Sequence, residues 1–161
     1  MHFVGRRLSR AGFGAAVSAC AARLSAAGLR KGELVAVQLP NDVHFVILVL
    51  ALIRLGAVPV LIRQVLREHE VGHVLSTMRP SALAVPVRQE GFDHLAMGRR
   101  LRAQHPAIHW LLVSDASGDA ELGLGEWNVR DLCRPAAERP DTADCAAQER
   151  RRPCWRRAEV G

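Results

Sequence analysis

The sequence has few of the residues that a nucleic-acid-binding surface uses. It has no tyrosine, three tryptophans, four phenylalanines and a single lysine, Lys31, among 22 basic residues. Proteins that bind nucleic acids gather basic residues on one face and supply aromatic side chains that stack on bases. The arginines here are instead spread from Arg6 to Arg157. The formal charge of +6 therefore gives no reason to expect a nucleic-acid partner.

The cysteines do not form a CxxC pair. They are Cys20, Cys133, Cys145 and Cys154, a spacing that fits neither a zinc ribbon nor a dense disulfide scaffold. We expect free thiols in a cytoplasmic protein, because the cytoplasm keeps thiols reduced.

The start of the chain imitates an export signal. Arg6 and Arg7 precede a run of small apolar residues up to Cys20, the order found in bacterial signals with a lipoprotein-type cysteine. The apolar pattern continues beyond Cys20 and stops at Gly28, which is typical of a helix with a glycine stop. We expect a helix here, and an exported or membrane-associated interaction module stays open as an alternative.

No uninterrupted apolar run is long enough to predict a membrane span. Residues 45–62 contain a single charge and have about the length that crosses a bilayer. Gly56 is a helix stop, however, and Pro59 would interrupt a continuing helix. The run therefore divides into a buried helix over 43–55 and a fully buried strand over 57–62, and we expect no membrane contact.

The hydrophobic pattern elsewhere alternates between strands and helices. After a first helix that ends at Gly28, it predicts strands over 34–39, 57–62, 83–87 and 108–113 and helices over 43–55, 67–78 and 92–104. Pro86 pushes the third strand toward an edge of the sheet or marks its end. The alternation predicts an α/β fold with a Rossmann-like parallel sheet and flanking helices.

The composition changes near Cys133. Residues 134–161 hold seven arginines, three prolines and almost no large aliphatic side chain. We therefore predict a folded unit over residues 1–133 and an Arg/Pro-rich disordered tail over 134–161.

One short motif could carry metal chemistry. His69, Glu70 and His73 match the HExxH pattern of zinc peptidases, in which two histidines hold the metal and the glutamate acts as a base. The positions three and six residues after His73 lack the Gly and His of the extended pattern, and nothing favours Glu90 or His94 as a third ligand. On a helical wheel the two histidines face away from the apolar stripe, so a solvated helix face is the expectation and a zinc hydrolase the alternative.

The motifs of the common nucleotide and hydrolase sites are absent. The sequence contains no GxGxxG after a strand, no GxxxxGK[ST] and no GxSxG. No residue is therefore assigned a catalytic or cofactor-binding role.

Two longer stretches resemble a known family. Residues 28–41 (GLRKGELVAVQLPN) and 50–61 (LALIRLGAVPVL) resemble the opening of the adenylate-forming, or AMP-binding, enzymes, which include the acyl- and aryl-acid AMP ligases. Residues 67–70 (REHE) and 90–94 (EGFDH) are most similar to the branch that activates 2,3-dihydroxybenzoate or salicylate for siderophore assembly. The resemblance covers residues 4–131, an early portion of a family member.

The resemblance implies a reaction but not a site in this chain. Family members form an acyl adenylate from an acid and Mg-ATP, release pyrophosphate and pass the aryl group to a carrier-protein thiol. Their ATP phosphate loop, aryl-acid pocket and catalytic lysine lie in segments that this sequence does not contain. The resemblance therefore implies a truncated ligase that is inactive alone and binds neither ATP nor Mg by itself. The Ile and Leu surface of its buried elements would normally pack on the missing C-terminal part, so we expect poor solubility or a need for that part as a partner.

A frameshift would explain the unusual tail. The phosphate loop of the family would be due close to Glu149. If residues 149–151 are encoded as GAG-CGG-CGG, reading one base later begins Ser-Gly-Gly, as that loop does. Genomic DNA tests this hypothesis, because the alternative frames downstream should then encode the remaining ligase motifs.

Overall fold

The protein folds into a parallel sheet covered by helices on both faces. A computed structural model describes residues 9–114 and 120–135. In chain order the elements are α1 (Arg10–Ala26), β1 (Leu34–Val37), α2 (Val43–Leu55), β2 (Val58–Leu61), α3 (Glu68–Met78), β3 (Ala82–Pro86), β4 (Arg88–Gln89), β5 (Phe92–Asp93), α4 (His94–Gln104), β6 (Trp110–Ser114), β7 (Glu126–Asn128) and α5 (Val129–Leu132).

The five strands of the main sheet lie in the order β2-β1-β3-β6-β7, and every neighbouring pair is parallel. Helices α1, α2 and α5 pack on one face, and α3 and α4 pack on the other. This confirms the α/β fold with a parallel sheet that the alternating pattern predicts. The chain moves from β1 outward to β2 and then returns past β1 to β3, so the connections diverge between β1 and β3.

Local signals set the helix ends. The side chains of Ser9, Asp42 and Asp93 accept hydrogen bonds from backbone N–H groups in the first turns of α1, α2 and α4, at 3.0, 2.8 and 2.8 Å. Such caps satisfy donors that have no partner within the helix. At the other end of α2, Gly56 has a φ of +83° and donates its N–H to Ile53, the left-handed stop that glycine adopts without strain.

The structure corrects the prediction for the second strand. Residues 57–62 are not a fully buried strand, because β2 lies at the edge of the sheet and the side chains of Val58 and Leu61 are 49% and 59% exposed. An apolar run predicts that a strand is covered on both faces. It does not indicate whether the covering element belongs to the same chain. The third strand, β3, is central rather than an edge strand, and Pro86 is its last residue.

Four short elements, β4, β5, β7 and α5, are not among the predicted ones. Residues 88–93 form a hairpin whose turn, Glu90-Gly91, has positive φ at both positions, so α4 begins at His94 rather than at residue 92. Strand β7 and helix α5 together span seven residues, 126–132. They are too short to show a hydrophobic period.

The predicted boundary at residue 133 lies close to the end of the described residues. Of the tail predicted over 134–161, the described part of the chain includes Arg134 and Pro135, and residues 136–161 lie outside it. Among the described residues, none of the helices has the length and apolar character needed to cross a bilayer.

Candidate functional site

The carboxyl ends of β1 and β3 are where the topology of the sheet predicts a ligand site. In open parallel sheets, ligands bind outside these ends at the point where the connections diverge. Gln38 follows β1 directly and donates its backbone N–H to the Ala84 carbonyl of β3 at 2.9 Å.

Gln38 is a buried polar residue at this point. Its Nε2 donates to the carbonyl oxygens of Arg63 and Leu66 at 3.0 and 2.9 Å. Its Oε1 is buried and has no hydrogen-bond partner. A polar residue at the end of a wholly apolar strand was a visible signal in the sequence, and the motif search missed it.

His94, the first residue of α4, contacts the same backbone segment between β2 and α3 that Gln38 contacts. It is 1% exposed, its Nδ1 lies 3.2 Å from the Phe92 carbonyl oxygen and its Nε2 lies 3.5 Å from that of Gln64. Arg67 donates from Nη1 to the Gln64 carbonyl at 2.7 Å, and its guanidinium carbon lies 4.4 Å from the Phe92 ring centre. Together with Gln38, these side chains hold the segment 63–67 between β2 and α3.

The first acidic residue after β1 in the sequence is also engaged. Asp42 accepts a hydrogen bond from the Phe45 N–H, and one of its oxygens lies 3.8 Å from His44 Nδ1. Burial acts to raise the pKa of Asp42, but the hydrogen bonds from His44 and Phe45 outweigh it and hold this pKa below its usual value. These polar side chains therefore fix the segment 63–67 and the start of α2 and are not arranged for proton transfer.

The HExxH residues do not form a metal centre. His69 and His73 are both exposed on α3, as the helical wheel predicts. Glu70 accepts the Arg67 backbone N–H at 3.1 Å, and hydrogen bonds from its own N–H and from that of Arg67 lower its pKa.

No third metal ligand joins the two histidines in the part of the chain that the structure describes. Glu90 lies in the hairpin turn, and the His94 ring faces two backbone carbonyls. Within residues 9–114 and 120–135, no three His, Cys, Asp or Glu side chains come together to hold a metal. The zinc alternative gains no support.

Two of the cysteines meet in the core. Cys20 of α1 and Cys133, which follows α5, are buried free thiols whose Sγ atoms are 3.9 Å apart. The hydrogen-bond contact with Cys20 and then burial raise the pKa of Cys133 well above its usual value. A thiol that resists ionisation is a poor nucleophile, so this pair packs as apolar groups do.

An apolar cleft lies at the opposite end of the sheet, where β3 and β6 begin. Its lining consists of Leu24, Ala27, Leu29, Ala82, Trp110, Leu112 and Trp127, and it is partly open to solvent. Substrate sites combine apolar walls with a few convergent polar groups. This lining has no group that could take part in chemistry.

Comparison with known proteins identifies the family. The family model described as "AMP-binding enzyme" matches residues 1–148. A salicylyl-CoA synthase/salicylate adenylyltransferase from a Streptomyces species is 37% identical over 123 residues, which are 76% of this chain and 21% of that protein. A salicyl-AMP ligase/salicyl-S-ArCP synthetase from Mycobacterium tuberculosis is 36% identical over 98 residues, 61% of this chain and 17% of that protein.

The solved structures agree on the fold. The acetoacetyl-CoA synthetase of Streptomyces lividans superposes with a TM-score of 0.72 over 83% of this chain and 21% of its own length, at 24% identity. The chain thus spans about a fifth of the length of these three proteins. With a fold that superposes on that of the synthetase and a family match over most of its residues, the chain belongs to the AMP-binding family of adenylate-forming enzymes.

Proposed function

We propose that this chain is the N-terminal scaffold of a cytoplasmic ligase that activates an aryl acid carrying an ortho-hydroxyl group. The family match over residues 1–148 is the observation that carries the proposal. Salicylate appears in the names of both curated relatives described above. The other acid that the sequence resemblance indicates, 2,3-dihydroxybenzoate, shares the carboxylate and the ortho-hydroxyl of salicylate.

The reaction of the complete ligase has two steps. The aryl carboxylate attacks the α-phosphate of Mg-ATP, so that an aryl adenylate forms and pyrophosphate leaves. A thiol then takes the aryl group, and AMP leaves. One relative is named for coenzyme A and the other for an aryl carrier protein; for this chain we propose the carrier-protein thiol, within siderophore assembly.

The described residues show no assembled site for Mg-ATP. No three of their His, Cys, Asp or Glu side chains come together, and the Asp42 carboxylate is engaged by His44 and Phe45. The polar side chains at the carboxyl ends of β1 and β3 hold a backbone segment instead. We therefore assign no step of the reaction to them, and the chain by itself is expected to be inactive.

A chimera tests the scaffold role. In the Streptomyces salicylyl-CoA synthase, the segment that aligns with this chain is replaced by residues 9–133, and ATP–pyrophosphate exchange is measured with salicylate and with 2,3-dihydroxybenzoate. The proposal predicts exchange by the chimera and none by this chain alone or by the relative with the segment deleted.

Two results would overturn the proposal. A correctly folded chimera without exchange would show that this chain is not an equivalent scaffold. Exchange catalysed by the isolated chain would show that it contains the reactive groups itself.

A further inference from the structure

Helix α2 is apolar on all sides, but the described residues of this chain cover one side of it. Its sequence, VHFVILVLALIRL, contains a single arginine. Ile47, Leu48, Ala51 and Leu52 are buried against the core. A helix that is apolar all round is expected to be buried all round, in the core of a large protein or in a membrane.

The opposite side of α2 carries an apolar stripe. Val46, Leu50 and Ile53 recur at helical spacing, and Leu50 and Ile53 are 39% and 57% exposed. An exposed stripe of large aliphatic side chains lowers the solubility of a monomer. Such a stripe is typical of an interaction surface.

The edge strand β2 adds an exposed apolar side chain on the α2 side of the sheet. The β1 residues paired with Pro59 and Leu61 are Val35 and Val37, whose side chains belong to the core beneath α2. Paired residues of neighbouring strands point to the same face, so Pro59 and Leu61 lie on the α2 side of the sheet. We call Leu50, Ile53 and Leu61 the outer α2 surface.

The edge itself is not built to accept another strand. The backbone N–H groups of Val58 and Ile62 donate to carbonyl oxygens of β1 and of the residue before it. The backbone N–H positions of Pro59 and Leu61, which alternate with them, therefore face the free edge of the sheet. Proline has no N–H to donate, which removes the central donor of the free edge. An occupant of this surface must therefore dock through side chains rather than extend the sheet.

The size of the relatives points to the occupant. This chain corresponds to about a fifth of their length, so most of such a ligase lies outside it. A membrane is a poor occupant because α2 has 13 residues, fewer than the roughly 20 of a span. The tail is another poor occupant, since residues 136–161 have two large apolar side chains, Trp155 and Val160, and are rich in arginine.

We propose that the outer α2 surface is the docking site of the remaining ligase polypeptide, the part that follows this segment in the relatives. This inference rests on the proposed function. Exposed Arg54 and Arg63 lie next to the surface in sequence, so the occupant has an apolar centre bordered by acidic residues. A polar border around a dehydrated apolar centre is the usual anatomy of a protein interface.

A binding experiment tests the docking independently of catalysis. The full 161-residue chain is co-expressed with the Streptomyces salicylyl-CoA synthase lacking its matching segment, and the complex is measured by sedimentation velocity. We expect a 1:1 complex whose dissociation constant rises at least tenfold in Ile53→Glu and in Leu50→Glu. Ala22→Glu, at an exposed position on α1, is the matched control and should leave the dissociation constant unchanged.

The variants and the two readouts separate the outcomes. Thermal melts of the isolated variants confirm that Ile53→Glu still folds. Absence of a complex, a complex insensitive to both glutamate substitutions, or a homodimer through this surface that excludes the remaining polypeptide would each overturn the docking proposal. A complex that depends on this surface, together with a chimera that shows no pyrophosphate exchange, would support docking and contradict the proposed function. An active chimera whose exchange is unchanged by Ile53→Glu would support the proposed function and contradict docking.

Discussion

At the scale of single residues, Gln38 carries a structural role that its neighbours cannot replace. Its side chain satisfies two carbonyls of the segment that joins β2 to α3. Gln38→Leu would leave both carbonyls without a donor, and we expect a loss of about 2 kcal/mol in the free energy of unfolding, as is usual for unsatisfied buried polar groups. Chemical denaturation measures this loss, and faster amide exchange should appear in residues 63–67.

The control is the same substitution on the surface. Gln104→Leu, at the exposed end of α4, should change the free energy of unfolding by less than about 0.5 kcal/mol. Equal effects of the two substitutions would show that the hydrogen bonds of Gln38 do not stabilise the segment.

Glu126 gives a pH-dependent prediction. Arg99 donates from Nε and Nη2 to its two oxygens at 2.8 and 2.7 Å, and this pairing, more than the Gly123 N–H bond, lowers the pKa of Glu126. A carboxylate with a lowered pKa contributes stability above its unfolded pKa, and the contribution is lost as the pH falls through the folded pKa. Glu126→Gln should therefore cost about 1 kcal/mol at pH 7, and the difference from wild type should shrink below about pH 4.5.

Glu68 supplies the comparison for this experiment. It pairs with Arg100 at 2.7 Å but is more exposed than Glu126. Because solvent screens exposed pairs, Glu68→Gln should change the urea midpoint little at any pH. A difference between wild type and Glu126→Gln that is constant from pH 7 to 3 would contradict the role given to the Glu126 charge.

Some residue-scale features could be predicted and others could not. The outward orientation of His69 and His73 follows from helical periodicity alone, and the structure confirms it. The partners of Gln38 come from a segment 25 to 28 residues away. No local pattern contains that information.

At the scale of the elements, two helical glycines should respond in opposite ways to alanine. A Cβ at Gly98 would lie 3.1 Å from Val85 Cγ2 and 3.2 Å from Leu111 Cδ1, whereas a Cβ at Gly14 would meet no atom within 4 Å. Gly98 thus lets α4 approach the sheet closely, and Gly98→Ala should destabilise the protein by about 1–2 kcal/mol through overpacking. Gly14→Ala in α1 should stabilise it by about 0.5–1 kcal/mol, because alanine loses less conformational entropy in a helix.

Thermal unfolding of the two variants checks this pair. The prediction is a lower melting temperature for Gly98→Ala and a higher one for Gly14→Ala. A shift in the same direction for both would mean that helix propensity, rather than the α4–sheet contact, decides the outcome.

The boundaries of the elements were predictable wherever a local stop exists. Helix α2 occupies the predicted residues 43–55, because the polar residues before it and Gly56 after it mark both ends. The burial of β2 was not predictable, since it depends on whether another strand or domain covers the edge. Strand β7 is defined by its pairing with β6, which is a non-local property.

At the scale of the whole molecule, the sheet has a complete core on both faces but an uncovered apolar side. The two clusters of buried residues lie above and below β1, β3 and β6. Leu50, Ile53, Val58 and Leu61 are exposed at the β2 side. The chain can therefore fold around its own core and still depend on another polypeptide for solubility.

This arrangement predicts concentration-dependent self-association of the isolated chain. Exposed aliphatic surface promotes contact between copies, so wild type should sediment as a mixture of species whose average size rises with concentration. The double variant Leu50→Glu/Ile53→Glu should sediment mainly as a monomer with an unchanged melting temperature, because both side chains are exposed. Wild type that remains a soluble, cooperatively melting monomer at all concentrations would show that the uncovered side needs no partner.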